Sequence, residues 1–407
     1  EMAHIVEDTT PKAMVCDPQM ADQAKALASS SDTLEQILVA DLSDPAFSQL
    51  YEAPEIDIVE VTNDTDPFVI IHTAAVMGKP RGAVLSQSNI ILSNQQMIEA
   101  YRLNRQTSYL NILPLFHIMG INLGLGTLQA GGKNVIQEKF DANEATDLMQ
   151  THQVTLFGSF PPILNSLIEA LQTHPKDLST LDITTGLEAP DVAKQWETIS
   201  GSTFWTLYGQ TETSGIVTTA PYFEKQGAAG RVTPLALLTV ADDADRPLPE
   251  ESVGEIRIRG PLVFQGYWNA EDINRQTFRN GWHHTGDLGM TDSDGFLFFK
   301  GRKPEKELIK PGGENVFPAE VEQTLAAHDA VKDVCVFGVP DPKYGEGIKA
   351  VCSLNPGLTL TAEELIAFCG QRIAGYKKPR YVTFVDELPR TEDGRIDREK
   401  IKTDHTE

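Results

Sequence analysis

At 407 residues, with 41% hydrophobic and 23% charged positions, the chain has the make-up of a globular protein of two or three domains. Its 34 basic and 58 acidic residues give a net charge of -24, a field that repels nucleic-acid phosphates and anionic membranes and argues against either as a partner. No apolar run approaches the ~18 residues of a membrane span, and no charged start followed by an apolar core reads as a signal peptide. The four cysteines, at 16, 335, 352 and 369, have neither disulfide nor metal spacing, which predicts a reducing, cytoplasmic setting.

In chain order, "EMAHIVEDT" reads as a helix. Apolar runs at 68–71, 108–115, 154–157, 181–184 and 203–207 then alternate with helix-like stretches such as 88–101 and 162–171. That alternation predicts βα units around a mostly parallel sheet. Between the first run and helix 88–101 lies "HTAAVMGKPRGAVLS" (72–86), which has the frame of a phosphate-cradling loop. Gly78, Pro80 and Gly82 alternate with the cations Lys79 and Arg81, and Thr73 keeps a hydroxyl. Ala74, Ala75, Val76 and Met77 fill the places where such a loop usually carries glycine and hydroxyl groups.

Residues 231–300 read differently: "GEIRIRG" alternates in and out, and "DSDG" marks a turn before "FLFFKGR", which predicts a small strand-rich module. After Gly301 the pattern changes again. "PAEVEQTL" places Pro318 in a helical first turn with Val321 and Leu325 on one face, "VCVFGV" and "IKAVCSL" read as strands, and Thr361 with Glu364 makes a capping box ahead of Leu365, Ile366, Cys369 and Ile373. The fold class is therefore α/β: a large N-terminal domain (1–301) of mostly parallel sheets flanked by helices with a β-rich subdomain (231–300), a hinge at 302–306, and a small mobile α+β domain (307–407).

Four segments carry chemistry-bearing residues, and each has a bland alternative. Thr211 and Glu212 in "YGQTETSG" (208–215) are either a solvated turn or a hydroxyl and a carboxylate for a phosphate oxygen and Mg²⁺. Asp287 in "GWHHTGDLG" (281–289) is either a turn residue or an acceptor for ribose hydroxyls. "PGGEN" in 301–322 is a tight turn needing positive φ, or, beside Lys306 and Lys310, a place where backbone approaches a phosphorylated thiol ligand. "LPRTEDGRIDREK" (388–400) is on its own an exposed charged turn. His283 and His284 lack a third ligand at metal spacing.

Taken in this order, with "PLFH" (114–117) and the loop at 72–86 before them, these segments resemble the acyl-adenylate-forming superfamily of AMP-binding enzymes, most nearly its fatty-acyl and aryl CoA ligases. The resemblance spans Glu1 to about Lys402. It implies an ATP-dependent acyl-CoA ligase that makes an acyl-adenylate with loss of diphosphate and then admits CoA after the small domain rotates, with ATP, Mg²⁺ and CoA as its cofactor and substrates. It implies that Thr73, Gly78, Lys79 and Arg81 hold phosphates and that Thr211 and Glu212 meet the α-phosphate and Mg²⁺. Tyr208 with Gly186, Leu187 and Glu188 would form the adenine slot, Gly209 and Gln210 would also contact the nucleotide, and Asp287 would take the ribose with help from Arg302. His117 would stand between the acyl pocket and the thioester channel; Lys310, Gly312, Gly313 and Glu314 would meet CoA; the pivot would be Lys306, with Lys303 as its rival.

The chain also departs from the family pattern. The phosphate loop has lost its hydroxyl lining, each lost bond to charged phosphate being worth roughly 1.5–3 kcal/mol, and Arg395 stands where the adenylating lysine is expected. Arginine keeps the charge but spreads it over a planar fork. Slowed adenylation is therefore expected, and transfer to a non-CoA acceptor or a non-catalytic nucleotide or acyl-CoA binder are the alternatives. A substantial segment is expected upstream of Glu1. The acid is read as aliphatic or aromatic, with His117, Ile118, Gly120 and Gly186 in its pocket; the sequence does not set the oligomeric state, for which a homodimer is the candidate.

Overall fold

The computed structural model describes residues 2–41, 43, 45–52, 62–73, 80–303, 308–391 and 396–406. A seven-stranded sheet organises the larger part, in the order Arg231–Val232, Gly215–Pro221, Thr203–Gln210, Ile183–Gly186, Leu156–Ser159, Ser108–Asn111, Lys133–Ile136. The last five run parallel, while Gly215–Pro221 returns antiparallel on Thr203–Gln210.

Successive residues of these strands face opposite layers, as a period of two requires. Leu110 and Phe157 face one core with Leu164, Leu167, Trp196 and Phe204, beneath helices Ala142–Thr151, Ile163–Thr173 and Pro190–Ser200. Their neighbours Tyr109 and Leu156 face a second core with Met97, Leu113, Met119, Leu123 and Leu207, under helices Gln87–Ala100 and Ile118–Gln129. Burying each such side chain contributes about 1.5–3 kcal/mol.

The run at 68–71, expected in the parallel sheet, is not there. Strand Pro67–Thr73 pairs antiparallel with Arg81–Ser86, which pairs in turn with Gly266–Tyr267 in a separate three-stranded sheet. The physical reason is reach: a short loop joining two apolar strands favours a hairpin, whereas parallel neighbours need a crossover of a dozen or more residues.

The strand-rich module is a five-stranded antiparallel sheet of Leu237–Ala241, Gly254–Arg259, Trp282–Thr291, Phe278–Arg279 and Leu297–Arg302. The C-terminal domain carries Val331–Asp341, Gly345–Leu354 and Tyr381–Phe384 under helices Pro318–Ala326 and Ala362–Gly370, with Val321, Leu325, Leu365 and Cys369 in its core. The capping box closes as the spacing predicts: Glu364 N donates to Thr361 Oγ1 at 3.2 Å and Thr361 N donates to Glu364 Oε2 at 2.9 Å.

Candidate active site

Loops at the carboxyl ends of parallel strands are where open α/β sheets bind ligands, and the motif residues cluster there. Strand Thr203–Gln210 ends in a 3₁₀ turn, Thr211–Thr213, followed by Ser214 at φ 54° and Gly215 at φ 100°. The reversal is so sharp that a Cβ on Gly209 would lie 1.7 Å from the Gly215 carbonyl oxygen. Within it Thr213 is structural, accepting from Gln210 N at 2.9 Å. The Thr211 side chain instead lines two cavities.

Glu212 is held by a residue that the motif does not contain. Tyr267 donates its hydroxyl to Glu212 Oε1 at 2.6 Å, and the Arg81 guanidinium stands 5.9 Å from the Tyr267 ring centre. Burial and the Glu212 charge both push the Tyr267 phenol above its ordinary range, so it stays a hydrogen-bond donor. Thr73 and Arg81, cross-strand partners, face the same cavity. Glu212 supplies one carboxylate, and the described residues hold no group of three or more His, Cys, Asp or Glu able to bind a metal. That set fits Mg²⁺ held by a single carboxylate together with ligand phosphates and water.

Asp287 and Arg302 face each other across a hairpin, with Arg302 Nε 2.9 Å from Asp287 Oδ1. Tyr208 Oη donates to Asp287 Oδ2 at 2.9 Å and Gln210 Nε2 donates to it at 2.6 Å. The carboxylate is thus aimed and charge-balanced before any ligand arrives. Lys310 lies close by. Burial, reinforced by the Arg302 charge and opposed by Asp287, Glu346 and Glu212, pushes its ammonium down to about 8. Lys303, the rival pivot, is anchored: its N–H donates to Gly286 O at 2.9 Å, and its ammonium lies 3.0 Å from Asp243 and 3.1 Å from Glu255.

The "PGGEN" loop does sit against the large domain. His117, just before helix Ile118–Gln129, places Nε2 2.8 Å from Glu314 Oε2. Gly312 and Gly313, at φ 61° and 85°, lie so close to Pro161 O and the Phe160 ring that added Cβ atoms would come within 3.0 and 3.3 Å. Three cavities meet here. One of about 190 Å³ holds Thr73, Arg81, His117, Thr211, Glu212, Asp287 and Lys310. One of about 690 Å³ extends past Leu187, Glu188, Tyr208 and Gly209. A passage of about 130 Å³ runs by Phe116, His117, Glu314 and Tyr376.

Three expected residues, Gly120, Gly186 and Gly312, do not line these cavities. A Cβ on Gly186, at φ 154°, would fall 1.7 Å from Ser159 O, and one on Gly120 would fall 2.2 Å from Pro114 O. Gly186 and Gly120 serve close backbone approach within the large domain, and Gly312 serves the approach to Pro161 O described above. Gly78, Lys79, Lys306 and Arg395 lie outside the described residues. Sequence reasoning missed Tyr267, brought in by a strand pairing with Arg81–Ser86. It also missed Asn315, whose buried Oδ1 has no hydrogen-bond partner among the described residues and which lines the first and third cavities. "GGEN" contained the Asn315 signal as the one side chain not assigned a role; nothing local to "QGYWN" marks Tyr267.

The family model of AMP-binding enzymes matches residues 1–268, and that of the AMP-binding enzyme C-terminal domain matches 320–395. The chain belongs to the AMP-binding enzyme family. It is 33% identical to an indoleacetate–CoA ligase of Aromatoleum aromaticum over 99% of its own length and 80% of that protein's. It is 31% identical to a medium/long-chain-fatty-acid–CoA ligase of Mycobacterium tuberculosis, covering 98% and 74%. Among solved structures, it superposes on an o-succinylbenzoate CoA synthetase double mutant of Bacillus subtilis bound to a product analogue, with a TM-score of 0.84 and 27% identity over 98% and 79% of the two chains. No helix among the described residues is long and apolar enough to cross a membrane.

Proposed function

We propose that the chain is an ATP-dependent acid–thiol ligase that forms acyl-CoA. In the first step a carboxylate oxygen bonds to the α-phosphorus of ATP, and diphosphate leaves with the electron pair of the broken P–O bond. In the second, the CoA sulfur, having lost its proton, bonds to the acyl carbon and AMP leaves. The observation that carries this reading is the His117–Glu314 contact, because it brings the glycine loop of the small domain to the passage that ends at Thr211.

The residues divide by the ligand part they suit. Leu187, Glu188, Tyr208 and Gly209 wall the 690 Å³ cavity, large enough for a nucleoside; burial raises the Glu188 carboxyl. Asp287, oriented by Tyr208, Gln210 and Arg302, accepts ribose hydroxyls. Thr211, Arg81 and Lys310 face the α-phosphate, where preorganised charge lowers the barrier without reorganising during reaction. Magnesium held by Glu212 would offset phosphate charge as the P–O bond breaks.

CoA is favoured as the acceptor by a groove outside the passage. A cavity of about 490 Å³ is lined by Pro311, Tyr344, Tyr376, Lys378 and Arg380, with Arg380 4.2 Å from the Tyr344 ring centre. Tyr376 borders both groove and passage, so a ligand with a thiol at one end and phosphates at the other spans them. In this reading the large domain ends at about 301 and the pivot is Lys306, which lies outside the described residues; the rival, Lys303, is anchored to Gly286, Asp243 and Glu255. The four cysteines are free, in keeping with a cytoplasmic enzyme. The test is AMP release from ATP, CoA and a panel of acids: release that needs both acid and CoA supports the reading, and none with any acid refutes it.

A further inference from the structure

Resting on the ligase reading, we propose that the acid is compact, apolar and uncharged beyond its reacting carboxylate, such as an arylacetate or a short branched acid, and is neither a long alkyl acid nor a diacid. The acyl group must start at Thr211 and His117, where the phosphates and the thiol converge. The apolar wall of that cavity includes Ile118, Met119, Phe160, Leu187 and Leu207. Apart from the nucleotide cavity and the passage that meet it, this cavity measures about 190 Å³, below the roughly 300–1,000 Å³ of pockets that enclose drug-sized ligands.

On the Met119 and Leu207 side that wall has no slack behind it. Met119 and Leu207 belong to the same buried cluster as Leu113, Leu123, Leu156 and Ile183, all between 0% and 8% exposed. On the adjoining strand, a Cβ on Gly158 would lie 2.6 Å from Leu123 Cδ1 and 2.8 Å from Leu113 Cδ1. A close-packed interior of this kind yields only at the cost of strain. An alkyl chain long enough to pass Met119 therefore meets a filled core.

Charge excludes the diacid. Among the described residues, the three Lys and Arg side chains lining the cavity lie on the nucleotide side: Arg81 beside Tyr267, Arg302 on Asp287, and Lys310 among Arg302, Asp287 and Glu212. Met119, Phe160, Leu187 and Leu207 offer no donor to a second carboxylate, Gln210 and Thr285 already donate to Asp287 and Ile256 O, and Asn315 and Thr73 are neutral, so a second charge would lose its hydration without gaining a counter-charge.

The test measures acid binding by calorimetry in the presence of AMP, and AMP release with ATP and CoA, for phenylacetate, indole-3-acetate, octanoate, palmitate and 2-succinylbenzoate. The expected result is kcat/KM for an arylacetate at least tenfold above palmitate and 2-succinylbenzoate. Preference for palmitate or for 2-succinylbenzoate, or binding of none of the acids, overturns the inference. An arylacetate that binds in preference but yields no AMP leaves the inference standing and sinks the ligase reading. Met119→Ala should raise octanoate over phenylacetate at least tenfold and Met119→Phe should lower both; folded variants with unchanged ratios would remove Met119 from the acid site.

Discussion

Glu314 and His117, 197 residues apart in sequence, meet at 2.8 Å and fasten the glycine loop of the small domain to the large one. An ionised carboxylate only accepts, so the imidazole donates from Nε2. Glu314→Gln keeps the shape and removes the charge. It should slow thioester formation from preformed adenylate about 10-fold, the worth of one charge-assisted hydrogen bond. Acid-dependent diphosphate exchange should stay within a factor of two; single-turnover assays of the two half-reactions would separate these effects.

Tyr267→Phe removes only the hydroxyl that donates to Glu212 at 2.6 Å. Without it the carboxylate loses its fixed direction, and we expect Mg²⁺-dependent ATP affinity to fall about 5- to 10-fold, the net worth of a hydrogen bond to a charged group. Calorimetric titration of ATP with and without Mg²⁺ checks this. An equal loss in both conditions would assign Tyr267 to general packing.

Lys310 carries the clearest pH signature. Its ammonium is pushed down to about 8, so the folded chain releases that proton more than two pH units before the unfolded chain does. Below pH 8 the half-buried charge costs stability, and the cost is relieved as pH rises from 8 toward 10.5. Lys310→Met should therefore stabilise the ligand-free protein at pH 7 by about 1–2 kcal/mol. It should also weaken anion binding below pH 8 and flatten the wild-type fall in nucleotide affinity above that pH. Melting curves and ATP titrations from pH 6 to 10 measure both.

Glu255 behaves in the opposite sense. Burial alone would raise its carboxyl, but His284 and Lys303 outweigh burial and bring it to about 2. A lowered carboxylate stabilises the fold above the unfolded value of 4.5, and that contribution is lost as pH falls through 4.5 toward 2. Glu255→Gln should cost about 2 kcal/mol at pH 7, because it leaves Lys303 and His284 facing a neutral amide. The difference from wild type should shrink in urea melts below pH 4.

Gly209→Ala should give insoluble protein or lose roughly 3 kcal/mol or more, since backbone cannot move aside for a Cβ 1.7 Å from Gly215 O. Gly201→Ala, with nothing within 4 Å of its Cβ but φ at 77°, should cost only about 1 kcal/mol. Thermal melts of the pair separate steric conflict from backbone preference.

Local signals in the sequence carried far. Thr361 and Glu364 marked a helix start because the capping box is written in four consecutive residues, and Asp287 and Arg302 were paired by resemblance before the hairpin brought them to 2.9 Å. What depended on distant partners was not legible. Strand Pro67–Thr73 reads like any buried βα strand until Arg81–Ser86 and Gly266–Tyr267 are seen beside it, and Tyr267 reaches Glu212 only through that pairing. Gly186 was read as lining a ligand slot, whereas its neighbour is Ser159 O; a glycine that admits a ligand and one that admits backbone look alike in one dimension.

Met119 and Leu207 are at once the wall of the acid site and members of a filled core. Substrate range and thermal tolerance are therefore coupled in this chain: trimming either side chain to lengthen the pocket excavates the interior, at about 2–5 kcal/mol for a large-to-alanine change. A lineage or a designer seeking longer acids here would have to install compensating stabilisation first, so new specificities should arise on already robust backgrounds.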